Sequence, residues 1–401
     1  MIESKLRLKN LFQPGTGVEP PYLAGRLEEQ AFFNDQVEKL IEKRKIGRDM
    51  IVYGPRGNGK TAMLRYLQKR TDDRIETLWV TPSEFEDMGE LIDLIVGNDT
   101  SLLTKAREIV RPVFDNLSAS ANIGVAQVKT GLSRPKETLA LKALLREKCK
   151  KKPFIMIMDE AHTLNPDIGM ALLNASQDIR GEDWPLFLVL SGTPDLETTL
   201  NQSSATFWDK SNVFPLGRLS LEDAQLAIEI PLQSCKVSCV KGVVEEVVHR
   251  AHNYPYFIQI WGDCIANRLI VTESQQLTME KLLEAEHSAI AKCANIYKQR
   301  YNELNKLNLM LLATDIGNSF TETGNQSIPV QKLEKLVGLS LQKQGVLVSN
   351  ETVQENIRKL SHIGYIWQIT VHDEVKGEDP LLCYEPGIPS LMNFVRKQSL
   401  L

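Results

Sequence analysis

The sequence predicts an α/β protein built on a parallel sheet, and three short stretches carry this prediction. Residues 49–53 read as a short buried strand and are followed by a glycine-rich loop and a helical pattern. Residues 154–158 and 186–190 are continuous apolar runs, which is typical of strands buried on both faces of a parallel sheet. Because ligands collect at the carboxyl ends of such strands, we expect functional residues directly after these three stretches.

The loop after the first strand predicts a phosphate-binding site, with the sequence Gly54-Pro55-Arg56-Gly57-Asn58-Gly59-Lys60-Thr61. Its glycines allow the backbone to turn and point several N–H groups at phosphate oxygens, and the helix that follows adds a positive N-terminus. Lys60 is expected to reach the β- and γ-phosphates, and Thr61 to ligate Mg²⁺. The loop therefore predicts binding of ATP with Mg²⁺.

Two carboxylates follow the apolar run that ends at Met158. At this strand end Asp159 is expected to hold Mg²⁺, directly or through water, and Glu160 to polarise the water that attacks ATP. The alternative is that the two acidic residues only stabilise a helix N-terminus. His162 is nearby, and a lone histidine in this position is more often a packing neighbour than a catalyst.

Polar residues also follow the third apolar stretch. Ser191 and Thr193 come directly after residues 186–190, and either side chain could sense the γ-phosphate or orient the water. A simple turn is a competing explanation. The sequence alone leaves these alternatives open.

The composition is that of an ordinary soluble globular protein, with 42% apolar and 24% charged residues and a net charge of −4. This balance provides no global attraction to nucleic acid or to anionic membranes, so any such binding requires a local patch. No apolar stretch is long enough for a signal peptide or a transmembrane helix, and we expect a cytoplasmic protein without membrane contact. The spacing of Cys235 and Cys239 could suggest half of a metal site, but reduced, mostly buried thiols are the better explanation for the six cysteines.

Taken together, these segments resemble the AAA+ and STAND branches of the P-loop ATPases, especially bacterial and archaeal proteins similar to the origin-recognition initiator ATPases. The resemblance begins at residues 22–29, which look like the entry segment that precedes the phosphate loop, and continues through both strand ends to residues 214–224. It implies a five-stranded parallel sheet with helices on both faces, a helical lid and a C-terminal winged helix. It also implies ATP hydrolysis.

The resemblance implies further site residues. Residues 252–257 resemble the lid motif of STAND proteins, in which a proline, here Pro255, lies near the nucleotide; Asn253 replaces the expected glycine. Rings of AAA+ proteins use an arginine finger from a neighbouring subunit, and the candidates here are Lys210, Arg218 and Arg180. For each of the three, a solvated surface charge is the more common explanation.

The expected domains are an N-terminal segment (1–20), an ATPase core (21–218), a helical lid (219–295) and a winged-helix domain (296–401). In the last domain, residues 328–337 and 349–360 are expected to form two helices. Winged helices often enter the DNA major groove, but here the last domain has as many acidic as basic residues. Its partner could therefore be either DNA or a protein.

Within the core, residues 121–131 alternate in a β-like pattern and could form a protruding hairpin or a covering flap.

Two main functions are consistent with these observations. The first is an ATPase whose nucleotide state drives conformational change or homo-oligomer assembly on DNA or a DNA-bound complex. The second is a STAND-like switch that controls a protein partner without binding DNA. A third possibility, a scaffold that binds nucleotide and hydrolyses it poorly, is disfavoured by intact Lys60, Asp159 and Glu160.

Overall fold

The computed structural model describes residues 2–15, 17–42, 46–99, 102, 104, 134–204, 206–323, 327–371 and 381–399. The β-like segment 121–131 lies outside these residues. The chain divides into two compact units. We call residues 26–54 and 60–216 the sheet unit, and residues 1–25, 55–59 and 217–401 the helical unit.

The sheet unit contains one parallel sheet of five strands in the order β2–β3–β4–β1–β5. The sequence prediction of a five-stranded parallel sheet is therefore confirmed. Its strands are Met50–Tyr53 (β1), Glu76–Val80 (β2), Phe154–Met158 (β3), Leu186–Gly192 (β4) and Asn212–Pro215 (β5).

Burial along the sheet explains the apolar runs. Every residue of β3 and β4 is buried, whereas most of the edge strand β2 is only half-buried. Strands covered on both faces must be apolar throughout, because neither face meets water. The helices of this unit are Leu27–Ile41, Lys60–Lys69, Met88–Val96, Arg134–Lys151, Pro166–Gly181 and Leu196–Ser203.

The strand order places β4 between β1 and β3. Met50 to Tyr53 of β1 pair with Val189 to Gly192 of β4, and β3 pairs with the same strand on its other side. The residues that follow β1 and β3 are therefore each next to the carboxyl end of β4. This arrangement brings together the three strand ends that the sequence singles out.

The helical unit is made mainly of helices around one continuous apolar core. Its helices are Ile2–Lys9, Leu221–Ser234, Val243–Ala251, Pro255–Val271, Met279–Lys306, Met310–Thr323, Val330–Lys343, Asn350–Ile363 and Leu391–Ser399. The expected boundary between lid and winged helix, at 295/296, falls inside the continuous helix Met279–Lys306. Among the described helices, none combines the length and the apolar character needed to cross a membrane.

In this unit Ser238–Cys239 (β6) and Gln276–Leu277 (β7) form a short parallel pair. The C-terminal part combines helices with a three-stranded sheet of Ile328–Pro329 (β8), Ile366–Val371 (β9) and Leu381–Pro386 (β10), in the order β8–β10–β9. Strand β8 (Ile328–Pro329) was expected to be the first turn of a helix, but it pairs with β10, and the helix begins at Val330. The next helix begins after Ser349, whose hydroxyl accepts the Thr352 N–H as an N-cap. Strands β9 (Ile366–Val371) and β10 (Leu381–Pro386) then form an antiparallel hairpin.

A buried ion pair holds the amino-terminal edge of the large sheet. The Asp49 carboxylate is fully buried, lies 2.8 Å from the Arg180 guanidinium and accepts the Leu188 N–H at 3.0 Å. Asp49 precedes β1, Leu188 belongs to β4, and Arg180 lies in the last turn of helix Pro166–Gly181. The pair therefore fixes this helix against two central strands.

We expect Arg180→Met to lower the free energy of unfolding by about 3–5 kcal/mol at pH 7.5, because it leaves a buried carboxylate without its cation. Urea denaturation would measure this loss. Lys39→Met is the control, since it breaks the more exposed pair with Asp35 and should cost at most about 0.5 kcal/mol. Equally small losses in both variants would contradict a stabilising role for the buried pair.

The loss of unfolding free energy in Arg180→Met should also depend on pH. Burial raises the pKa of Asp49 from 3.8 to about 6, despite the opposing effects of Arg180 and the Leu188 N–H. The pKa of Asp49 is therefore higher in the folded state than in the unfolded state. Its protonation stabilises the fold fully below about pH 4, and this stabilisation is lost as the pH rises through 6. We therefore expect the Arg180→Met penalty to shrink between pH 7.5 and pH 5, as Asp49 becomes neutral. A penalty that stays constant over this range would contradict the assignment.

Candidate functional site

The glycine loop has the backbone conformation that its sequence requires. Gly57 and Gly59 have φ angles of +84° and +85°, in the left-handed region that residues with a Cβ rarely adopt. Gly54 is needed for space, since a Cβ there would lie 2.5 Å from the Leu216 carbonyl oxygen. Its N–H donates to the Gly192 carbonyl at 3.1 Å, which ties the end of β1 to the end of β4.

Lys60 begins the helix that follows the loop. Its side chain is 6% exposed, and its ammonium group donates to the Gly54 carbonyl at 2.7 Å. A buried ammonium needs acceptors, and here it has a carbonyl at the carboxyl end of the sheet. This holds the positive charge at the start of the phosphate loop.

The Asp159 carboxylate is where the sheet-unit site residues converge. One oxygen accepts the Thr61 hydroxyl at 2.7 Å, and the other accepts the Ser191 hydroxyl at 2.8 Å and the Glu160 N–H at 3.0 Å. The carboxylate is 4% exposed. The donors come from the helix after β1, from the end of β4 and from the residue after β3, so one buried charge joins three parts of the sheet edge.

Thr61 and Asp159 were expected to hold Mg²⁺, and their side-chain oxygens lie 2.7 Å apart. One hydroxyl and one carboxylate fit Mg²⁺, which commonly takes one or two protein oxygens and completes its shell with phosphates and water. Within the described part of the chain, no group of three or more His, Cys, Asp or Glu residues could hold a metal ion. The six cysteines form no disulfide.

Glu160 differs from Asp159 in its exposure. Its side chain is 44% exposed, and one of its carboxylate oxygens lies 3.6 Å from the His162 Nε2. Its φ of +55° is unusual for a residue with a Cβ and turns the chain sharply after β3. Asp159 is thus buried, whereas the Glu160 side chain is half-exposed and meets water.

Ser191 and Thr193 have different surroundings. Ser191 is fully buried and its hydroxyl is committed to Asp159. The Thr193 N–H lies 3.4 Å from the His162 Nδ1, and the buried Thr193 hydroxyl has no hydrogen-bond partner among the described residues. Of the two, Thr193 therefore has the hydroxyl that remains available to a ligand.

In the helical unit, residues 55–59 contact the start of helix Pro255–Val271. A Cβ on Gly59 would lie 3.9 Å from the Cβ of Pro255, the lid proline that the sequence singles out. Asn253 has a φ of +56°, a conformation that asparagine tolerates better than most residues. Asparagine can therefore stand at this position in place of the expected glycine.

The three finger candidates have different surroundings. Arg180 is buried in its ion pair with Asp49. Arg218 donates to the carbonyls of Pro386 and Gly387 at 3.0 and 3.2 Å. Lys210 is exposed, with its ammonium group 3.5 Å from the Gln177 side-chain oxygen.

Three side-chain contacts near these elements, including that of Asp49 with Arg180, have no local signal in the sequence. Asp49 precedes β1 but belongs to no motif. Tyr254 donates its hydroxyl to the Arg56 carbonyl, and the Arg56 guanidinium lies 3.2 Å from the His362 Nε2. These partners are 198 and 306 residues apart in the sequence. Only the tertiary structure reveals them.

Comparison with known proteins gives one family match. The family model described as the AAA ATPase domain matches residues 22–190. This range contains the glycine loop, both carboxylates and most of β4. No curated protein matches the chain.

Solved structures resemble the chain over nearly its full length. The Aeropyrum pernix ORC2 protein, in ADPNP–ADP complexes, has a TM-score of 0.55 at 12% identity. The match covers 98% of this chain and 100% of the ORC2 chain. A Walker-type ATPase of Pyrococcus abyssi has a TM-score of 0.55 at 13% identity, and the match covers 97% of this chain and 99% of the ATPase chain. At these identities the likeness shows a shared fold and nothing further.

Proposed function

Since residues 22–190 match the family model of the AAA ATPase domain, we propose that this protein binds ATP with Mg²⁺ and hydrolyses it to ADP and phosphate. The single observation that best supports the proposal is the contact between Thr61 and Asp159, whose oxygens lie 2.7 Å apart. It joins the two residues expected to hold Mg²⁺, although they are 98 positions apart in the sequence. A chance sequence match to the glycine loop would not explain it.

Each side chain has a role that follows from its surroundings. Lys60 provides a buried positive charge that can move from the Gly54 carbonyl to phosphate oxygens. Thr61 and Asp159 would hold Mg²⁺, which neutralises phosphate charge when bound. Ser191 orients the Asp159 carboxylate, and Thr193 has a hydroxyl available for a phosphate or a water.

Glu160 is proposed as the general base. Its half-exposed carboxylate can contact a water molecule and accept its proton as the water attacks the terminal phosphorus. The bond between that phosphorus and the β–γ bridging oxygen breaks, which leaves ADP and phosphate. His162, buried beside Glu160, can orient its carboxylate.

Lys60→Ala should weaken ATP binding at least 100-fold, because it removes the buried cation that is expected to reach the phosphates. Isothermal titration with ATP and Mg²⁺ measures this. Lys69→Ala, at the exposed end of the same helix, is the control and should bind like the unaltered protein. Unchanged affinity in Lys60→Ala would rule out the phosphate-loop assignment.

Glu160→Gln should bind ATP normally but lower kcat by at least about 100-fold, since the amide cannot accept the proton from water. Phosphate release under saturating ATP measures kcat. Glu197→Gln is a control that removes an exposed carboxylate from the helix after β4. Near-normal turnover in Glu160→Gln would mean that another residue activates the water.

We propose that hydrolysis changes the conformation or the assembly of the protein, and that it acts on DNA or a DNA-bound complex. The element order of residues 310–386, with helices followed by an antiparallel hairpin, is the order that a winged helix requires. Nucleotide-bound assembly of several copies would use a cation in trans, and exposed Lys210 is the best-placed candidate.

One observation favours a protein partner instead. In helix Asn350–Ile363, the exposed positions include Glu351 and Glu355, and the Lys359 ammonium is paired with Glu355 at 2.6 Å. Phosphate contacts dominate affinity for DNA, and a helix in which two glutamates balance Arg358 and Lys359 offers phosphates no net positive charge. This supports the second candidate function, a nucleotide switch that controls a protein.

The ATPase rate, measured across protein concentrations with and without duplex DNA at about 0.1 M salt, distinguishes the two candidates. If the protein acts on DNA, we expect DNA to raise the rate, high salt to remove this stimulation, and the rate to rise more than linearly with protein concentration. A rate that DNA does not change would contradict this proposal and support the switch that controls a protein, which the balanced charge of helix Asn350–Ile363 favours.

A further inference from the structure

Residues 55–59 of the phosphate loop are held by the first residues of helix Pro255–Val271. The Tyr254 hydroxyl donates to the Arg56 carbonyl, and the Tyr256 N–H donates to the Gly57 carbonyl at 3.1 Å. Two successive carbonyls of the loop are thus bound by two residues at one helix start. We propose that the Tyr254 hydroxyl is a positioning residue for nucleotide binding; this inference rests on the function proposed above.

The geometry of the peptide bond explains how a carbonyl contact can orient an amide. In a planar trans peptide, the C=O and the N–H of the next residue point in opposite directions. Fixing the Arg56 carbonyl therefore fixes the Gly57 N–H, and fixing the Gly57 carbonyl fixes the Asn58 N–H. The Asn58 N–H donates within the loop to the Pro55 carbonyl at 3.5 Å, whereas the Gly57 N–H is directed away from the helix start, and amides of this kind are the phosphate ligands of this type of loop.

Tyr254 and Gly57 fit each other closely. A Cβ on Gly57 would lie 2.2 Å from the Tyr254 hydroxyl oxygen, so the hydroxyl occupies the space that any other side chain would need. The positive φ of Gly57 independently requires glycine. The loop conformation and the position of the hydroxyl are therefore mutually dependent.

The tyrosine is itself held rigidly. Its ring is 4% exposed and packs edge-on against Phe257, with ring centroids 4.9 Å apart. Burial also raises the pKa of the phenol above its usual value, which keeps the hydroxyl protonated as a donor. The helix start is anchored by the Leu219 N–H, which donates to the Asn253 carbonyl at 3.0 Å.

Tyr254→Phe removes only the hydroxyl and is the variant to test. We expect the Kd and KM for ATP to rise about 5- to 30-fold, the equivalent of about 1–2 kcal/mol for a lost buried hydrogen bond, because binding must then order a looser loop. We expect kcat to change less than about two-fold, since the hydroxyl is bonded to the loop backbone and not to a reacting group.

Tyr365→Phe provides a matched control. Its hydroxyl donates to the Ala313 carbonyl at 2.6 Å, so the variant also loses a buried phenol–carbonyl hydrogen bond, but one that does not involve the phosphate loop. It should lower Tm by a similar amount and leave Kd, KM and kcat within about two-fold.

Four outcomes are informative. Weaker ATP binding in Tyr254→Phe alone, with kcat retained, supports the proposal. Equal effects in both variants would reduce Tyr254 to a stability role and overturn it, as would a loss of kcat with unchanged KM. If the unaltered protein does not bind ATP, the proposed function itself fails, and this result is distinct from the other three.

Discussion

The buried Asp159 carboxylate is the constraint on which the rest of the sheet-unit site depends. A buried charge is costly unless donors surround it, and here the donors are Thr61, Ser191 and the Glu160 N–H. They come from the ends of three neighbouring strands, so these ends must be in register for the charge to be satisfied. The strand order β3–β4–β1 provides this, because β4 contributes Ser191 to Asp159 and the Gly192 carbonyl to Gly54. The strand order of the sheet therefore determines the geometry of the site around Asp159.

Much of this could be predicted from the sequence, because the relevant signals are local. An apolar run such as residues 154–158 identifies a doubly covered strand, and a glycine loop followed by Lys60 identifies a phosphate loop without any tertiary information. The approach of Thr61 to Asp159 also followed, since parallel strand ends share one edge. The start of helix Val330–Lys343 was misplaced because Ile328 and Pro329 pair with β10, whose position depends on chain more than 50 residues away.

The residues that sequence reasoning missed are those whose role depends on a distant partner. Asp49 is an unremarkable acid before a strand until Arg180 is placed beside it. Tyr254 lies within the lid motif, but the motif points to Pro255, and the role of the Tyr254 hydroxyl is visible only from its bond to the Arg56 carbonyl. Gly57 links the two kinds of information: its place in the motif predicts a turn, whereas the lack of room for a Cβ beside Tyr254 explains why the turn has one conformation. Local patterns thus identified the chemical groups, and tertiary contacts determine their orientation.

The contacts of Arg56 also bear on how a nucleotide could affect the rest of the chain. Its carbonyl is bound by Tyr254 and its guanidinium lies 3.2 Å from His362, which belongs to the last turn of helix Asn350–Ile363. A ligand that shifts Arg56 would therefore alter contacts with the start of helix Pro255–Val271 and with the end of helix Asn350–Ile363. Suppose that a partner binds more tightly when the Arg56–His362 contact is broken. Thermodynamic linkage then requires the partner to change the nucleotide affinity by the same factor by which the nucleotide changes the partner affinity. Either proposed function could use this coupling, and the two would differ in which partner binds the C-terminal helices.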